Sequence, residues 1–231
     1  MNANLSSNTT AIARSSQSAT AARRPVAQLL HALNQPLTGL QCSMEVALAS
    51  PRTTEQHVRG LREALELTER MRALVEALRE VTDLTQGTDE RSETFEVKTV
   101  VGETLDDLGP VAEAKSVRLA FNCPVDLCLE VRAERRNFTA ATFRLFESAL
   151  SLSVRGSELS VAIGGAQADR SIRVRWQEGR LQAAFSRSDI GLLVAQSGFE
   201  RAGATWERQR TENMESVTLG LAGVLLRREL S

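Results

Sequence analysis

Leu29-Leu30-His31-Ala32-Leu33-Asn34-Gln35-Pro36-Leu37-Thr38 is the stretch from which the rest of this chain is read. Around it Val26, Leu30, Leu33, Leu37, Leu40, Met44 and Ala47 step by threes and fours, the spacing of a helix–helix seam. His31 lies one position off that seam. It opens a second, mostly polar stripe of His31, Gln35, Thr38, Cys42 and Glu45, residues that share one helical face. Pro36 removes an interior hydrogen bond and is expected to bend the helix just past the histidine. With only two histidines in the chain, one at such a position is a candidate for chemistry. The plain alternative is a rim residue of the packing.

The first helix is expected from Arg23 to Ala49, and Ser50-Pro51-Arg52-Thr53 as a turn. Thr53 followed three residues later by Gln56 reads as a capping box. A second helix is expected over Thr54 to Leu84, with Val58, Leu61, Leu65, Thr68, Val75 and Leu78 as its seam, thickened by Met71 and Leu74. A connection this short makes the helices antiparallel neighbours. Each is roughly 40 Å long at about 1.5 Å per residue. Two such helices cannot cover both their seams, so a dimeric four-helix bundle is expected. Counting outward from the turn puts Arg72 level with His31, with Glu69 and Glu76 beside it. His57 falls near the turn, about 30 Å from His31, and is assigned no role.

The wording of the first helix, His-x-x-Asn-Gln-Pro-Leu-Thr from His31 to Thr38, resembles the phospho-acceptor helix of two-component sensor histidine kinases. It is most like the subgroup whose motif ends in Asn-Gln-Pro-Leu. The resemblance implies that the hairpin dimerises into a four-helix bundle and that His31 carries a phosphoryl group.

Composition bounds the rest. The chain has 231 residues, which suits two modest domains. A net charge of −1 gives no global case for nucleic-acid or membrane-surface binding. No apolar run approaches a membrane span and no signal peptide is legible. Cys42, Cys123 and Cys128 have no partners at zinc-like spacing, so no metal is expected. An odd cysteine count without a secretion signal suits a reducing, cytoplasmic setting. Residues 1–22, rich in Ser, Ala, Thr and Asn, read as a disordered tail. The hairpin occupies 23–86, and the polar run Gln86 to Ser92 reads as a linker.

Residues 93–231 are a second domain. Strands are expected at Phe95–Val97, Val117–Asn122, Asp126–Val131, Leu159–Ile163, Ile172–Trp176, Thr205–Gln209 and Val217–Leu225. Helices are expected at Val100–Ala114, Arg135–Val154 and Ile190–Ala202. This mixture argues an α+β sandwich with helices layered on one sheet face. Trp176 and Trp206 read as packing residues.

This domain resembles the ATP-binding domain of histidine kinases, through Val111–Leu119, Arg132–Arg136, the helix through Phe146-Glu147-Ser148-Ala149-Leu150, and Ile190-Gly191-Leu192-Leu193 to Ala204. The resemblance implies an asparagine for magnesium where Ser148 stands. It implies Asp-x-Gly-x-Gly where Val174-Arg175-Trp176-Gln177-Glu178-Gly179-Arg180 runs. It also implies a glycine-bearing lid where no glycine lies between Gly179 and Gly191. The residue after the histidine, an acid that serves as base in active kinases, is Ala32. The expectation is a nucleotide fold without its nucleotide, and no autokinase activity.

A histidine can still take a phosphoryl group from an aspartyl phosphate, because that donor needs no ATP and the partner brings the magnesium. The chain therefore resembles the phosphotransfer proteins that look like degenerate histidine kinases. His31 is then the acceptor, and Asn34, Gln35, Thr38, Cys42 and Glu45 dock a response-regulator receiver domain. Arg72 offsets phosphoryl charge, and a hybrid histidine kinase is a further partner. No cofactor is expected in the chain itself. Three alternatives stand beside this: a non-catalytic protein that binds a regulator or kinase, a receiver phosphatase using Gln35 to orient water, and a kinase with an unusual nucleotide site.

Overall fold

A computed structural model of the chain describes residues 4–49, 51, 53–86, 92–125, 127–165, 170–179, 187–222 and 224. Two long helices lead, α1 (Asn4–Ala49) and α2 (Thr54–Gln86). They are followed by β1 (Glu93–Glu96), α3 (Val97–Lys115), β2 (Arg118–Asn122), β3 (Glu130–Ala133) and α4 (Arg135–Leu152). Then come β4 (Glu158–Gly164), β5 (Ser171–Gln177), α5 (Arg187–Arg201), β6 (Thr205–Arg210) and β7 (Met214–Gly220).

Helix α1 begins at Asn4, not Arg23, so the segment expected as a disordered tail is helical from residue 4 onward. Low apolar content argues against a packed core, but it does not forbid a helix. Residues 4–24 contain neither glycine nor proline, so nothing stops a helix already nucleated by the hairpin. The helix also runs on through Pro25 and Pro36. At the far end the capping box forms as read. The Gln56 backbone N–H donates to Thr53 Oγ1 at 3.3 Å, and the Thr53 N–H donates to Gln56 Oε1 at 3.0 Å.

The contact between the two helices is rotated from the seam that the sequence suggests. Leu29, Ala32 and Pro36 of α1 and Leu74, Ala77 and Val81 of α2 are buried. Leu30, Leu37, Met44, Val58, Leu61, Leu65 and Val75 remain exposed, Leu61 by 70%. Each helix thus carries two neighbouring apolar stripes, and one partner helix covers only one of them. Leu33, Leu40 and Ala47, half-buried, lie between the two.

The second domain is an α+β sandwich. Its mixed sheet has the order β2-β4-β5-β7-β6, parallel between β2 and β4 and antiparallel elsewhere. A small antiparallel ribbon joins β1 to β3. Along β5, Ile172, Val174 and Trp176 are buried while Arg173 and Arg175 are exposed. The buried side shares one core with α3, α4 and α5, so the helices cover that face. Phe95, Phe138, Phe199 and Trp206 form a run of ring contacts through this core, with centroids 5.3, 5.2 and 6.3 Å apart. Trp176 is fully buried, and both tryptophans are packing residues.

Several boundaries differ from expectation. Val97 opens α3 rather than closing a strand, and β3 starts at Glu130. Strand β7 starts at Met214 and ends at Gly220, because Thr211 N–H donates to the Met214 carbonyl at 2.8 Å and pairing resumes at once after that turn. The linker residues 87–91, Ser50, Arg52, Asp126, the turn residues 166–169, the stretch 180–186 and Leu225 lie outside the described residues.

Candidate functional site

His31 is exposed on α1, and among the described residues its ring makes no hydrogen bond or ion pair. Its chain neighbour Ala32 is the opposite case, 3% exposed and packed into the hairpin core with Leu29. No side chain that could serve as a base follows the histidine. One turn on, Asn34 and Gln35 are exposed. The Thr38 hydroxyl donates to the Asn34 carbonyl at 2.9 Å, which ties it to its own helix. Cys42 is an exposed free thiol, and Glu45 accepts from Gln41 Nε2 at 3.1 Å. The polar stripe is therefore one solvent-facing surface pointing away from the hairpin interior.

Arg72 does not join it. A β-carbon on Gly39 would stand 3.6 Å from Leu67 Cδ1, which sets the antiparallel register. Eight residues before Gly39 and eight after Leu67 bring His31 level with Val75. Arg72 lies nearly one turn closer to the hairpin turn, and its guanidinium meets Glu76 at 3.7 Å with both side chains mostly exposed. Such a pair contributes little. The count from the turn missed this register because it took the two helices as leaving the turn in step.

Helix α5 closes the other side of α1. Ile190 and Val194 are buried with Leu29, Ala32, Leu74, Ala77 and Val81, and Leu193 packs against the same cluster. The other face of α5 sends Leu192, Ala195 and Phe199 into the sandwich core. Nearby, Arg144 of α4 grips Glu80 of α2 with two hydrogen bonds, Nε and Nη2 each at 3.2 Å from a carboxylate oxygen, and its Nη1 donates to Glu147 at 3.2 Å. Burial works against the charge on Arg144, and the two carboxylates more than offset it, so its pKa lies above the ordinary value. Val194, Glu80 and Arg144 were not singled out from sequence, and Ile190 only within the Ile190-Gly191-Leu192-Leu193 resemblance. The available signal was that α5 is apolar on two faces.

At the start of α5 the packing is tight. A β-carbon on Gly191 would lie 2.2 Å from Ser148 Oγ, and Ser148 is 4% exposed. Asp189 pairs with Arg208 of β6 at 3.2 Å, and Arg208 also pairs with the fully buried Glu215 of β7. Burial likewise opposes the charge on Arg208, and Glu215 and Asp189 raise its pKa beyond the ordinary value. Glu215 is the cross-strand neighbour of Trp176. Both are fully buried, and Glu215 Oε2 and Trp176 Nε1 have no partner among the described residues. Glu178 meets Arg210 at 2.6 Å. Among the described residues there is no group of three His, Cys, Asp or Glu side chains that could hold a metal, and no helix long and apolar enough to cross a membrane. A cleft of about 710 Å³ lies between the end of α2 and the start of α4, lined by Glu80, Arg135, Arg136, Phe143 and Arg144. It contains no residue of the His31 stripe.

No protein-family model matches the sequence, and no curated protein matches it either. Solved structures do. The chain is similar to the Acinetobacter baumannii histidine kinase AdeS, with 16% identity and a TM-score of 0.51, over 82% of this chain and 97% of that one. It is also similar to full-length ShkA, solved in complex with AMPPNP, with 12% identity and a TM-score of 0.53, over 86% of this chain and 46% of that one. A helical hairpin followed by this sandwich is a histidine kinase-like fold.

Proposed function

We propose that this chain is a histidine phosphotransfer protein, which takes a phosphoryl group onto His31 from the aspartyl phosphate of a receiver domain and returns it to another receiver. A nitrogen of the neutral imidazole attacks phosphorus in line, the N–P bond forms as the bond to the aspartyl oxygen breaks, and the carboxylate leaves on the donor. The receiver brings its own magnesium. What this asks of the chain is an exposed ring on a rigid helix, and an exposed His31 on the outward face of α1 is the observation that carries the reading. The uncovered stripe of Leu30, Leu37, Met44, Leu61 and Leu65 supports a homodimer, since a second hairpin would bury it.

ATP and magnesium do not fit the described residues. Where the resemblance asks for a metal-holding asparagine there is Ser148, with Gly191 of α5 packed on its hydroxyl. Where it asks for an aspartate that reads adenine, β5 carries buried Trp176 beside buried Glu215. No step of the mechanism runs through a nucleotide.

One observation favours a second reading, a protein that binds a receiver or kinase without chemistry. Among the described residues the His31 ring has no hydrogen bond or ion pair to orient it. The two readings separate in one experiment. Purified wild type and His31→Gln are mixed with receivers carrying labelled aspartyl phosphate. Acid-labile label on wild type alone supports transfer, whereas binding of receivers with no label on either protein supports the interaction reading.

A further inference from the structure

We infer that the second domain is a fixed part of the His31 site, with Ile190 and Val194 of α5 and the Arg144–Glu80 clamp as positioning residues for the helix that carries the histidine. The inference rests on the phosphotransfer reading for the role of His31, and gives the second domain a use that needs no nucleotide.

Three contacts converge where α5 begins. Asp189 ties the helix to Arg208 of the sheet, Ile190 enters the hairpin core, and Gly191 lies on Ser148 of α4. Successive residues of one helix turn thus join sheet, hairpin and α4. The apolar cluster formed with the hairpin is separate from the sandwich core, and it contains Leu29 and Ala32, the residues two before and one after His31. Swinging the domain away would expose Ile190, Val194, Leu29, Leu74 and Val81 to water together and leave Glu80 and Arg144 to be resolvated separately. The contact consists of an apolar plug and a two-bond ion pair. Ala32 suits this position, because an acid buried in the same apolar cluster would be desolvated without a partner. The docked domain stiffens α1 on the side away from its solvent-facing stripe, so the ring meets an incoming receiver on a helix that does not yield.

The test is a charge swap across the clamp in the full chain, Glu80→Arg alone and Glu80→Arg with Arg144→Glu and Glu147→Gln, the last because Glu147 also faces Arg144. Trp176 and Trp206 both lie in the second domain, so their fluorescence reports its folding independently of docking. Glu80→Arg is expected to slow transfer from saturating phosphorylated receiver to His31 about tenfold, with under about a threefold change in receiver affinity, and the swap to recover most of the rate. A single variant that transfers at the wild-type rate, or a swap that recovers nothing, overturns the inference. Imidazole proton NMR keeps the test independent of transfer, since His57, near the hairpin turn, serves as an internal reference. The His31 signal should move in Glu80→Arg and return in the swap while His57 stays. If wild type takes no phosphoryl group, the phosphotransfer reading fails and this second readout judges the docking; a His31 signal indifferent to Glu80→Arg overturns the positioning role.

Discussion

Gly191 of α5 lies so close to Ser148 of α4 that a β-carbon on the glycine would come within 2.2 Å of the serine hydroxyl oxygen. The same β-carbon would stand 3.5 Å from Ser148 Cβ, an ordinary contact. Gly191→Ala should therefore destabilise the protein by about 1–3 kcal/mol through overpacking, although alanine is the better helix former. Adding Ser148→Ala removes the clashing atom and should recover most of that loss. Urea denaturation of the two variants measures it, and equal stability of Gly191→Ala and wild type would show that the Ser148 hydroxyl turns aside without cost.

The same contact bears on ligands. A nucleotide present at a hundred times its dissociation constant would add about 2.7 kcal/mol to stability. Millimolar ATP with magnesium is expected to leave the melting temperature unchanged. A rise of several degrees would contradict the nucleotide-free reading.

Leu61 and Leu65, 70% and 60% exposed, lie on the stripe that a second hairpin would cover. Leu61→Glu with Leu65→Glu should convert a dimer into a monomer that keeps its helical circular dichroism, because neither side chain belongs to the hairpin's internal contact. Sedimentation velocity reads the outcome. A wild type that sediments as a monomer would remove the dimer from the account.

Glu178 gives a pH signature. Burial first, then the negative charge of Glu215, holds its carboxyl above the ordinary glutamate value, against the pull of Arg210 and Arg208. A carboxyl raised in the folded state adds stability at low pH that is lost as pH rises through its folded value. Glu178→Gln keeps a hydrogen-bond partner for Arg210 and removes the penalty. The difference in unfolding free energy, variant minus wild type, should shift in the variant's favour between about pH 4 and pH 7. A shift the other way would mean that the 2.6 Å pair with Arg210 governs this site.

Much of this architecture was legible in the sequence, for reasons that are local. Thr53 and Gln56 cap α2 because a reciprocal pair needs only three residues of spacing. The β5 alternation is visible because one sheet face is buried and the other wet. The His31 stripe could be placed because helical periodicity alone puts it off the seam. What was not legible depends on long-range choices. Either of two apolar stripes on α1 could have met α2, and the spacing of Leu30 and Leu37 is as regular as that of Leu29 and Pro36. Arg72 was misplaced against His31 by nearly a turn, because register is set by the fit of Leu67 over Gly39, which no count from the loop contains. Ile190 and Val194 fall on a helix expected to layer on the sheet, yet they pack into the apolar cluster of the hairpin rather than the core of their own domain.

The proposed chemistry is transfer of a phosphoryl group from a receiver aspartate to His31 without ATP. The direct measurement is phosphorus NMR of the wild-type chain mixed with a phosphorylated receiver and no nucleotide, with His31→Gln as control. A phosphoramidate signal in the wild type, absent from His31→Gln and lost on acidification, is the expected result. A receiver that binds the chain yet keeps its phosphate, with no phosphohistidine in either protein, would contradict the claim and leave a protein with a kinase's shape that acts by contact alone.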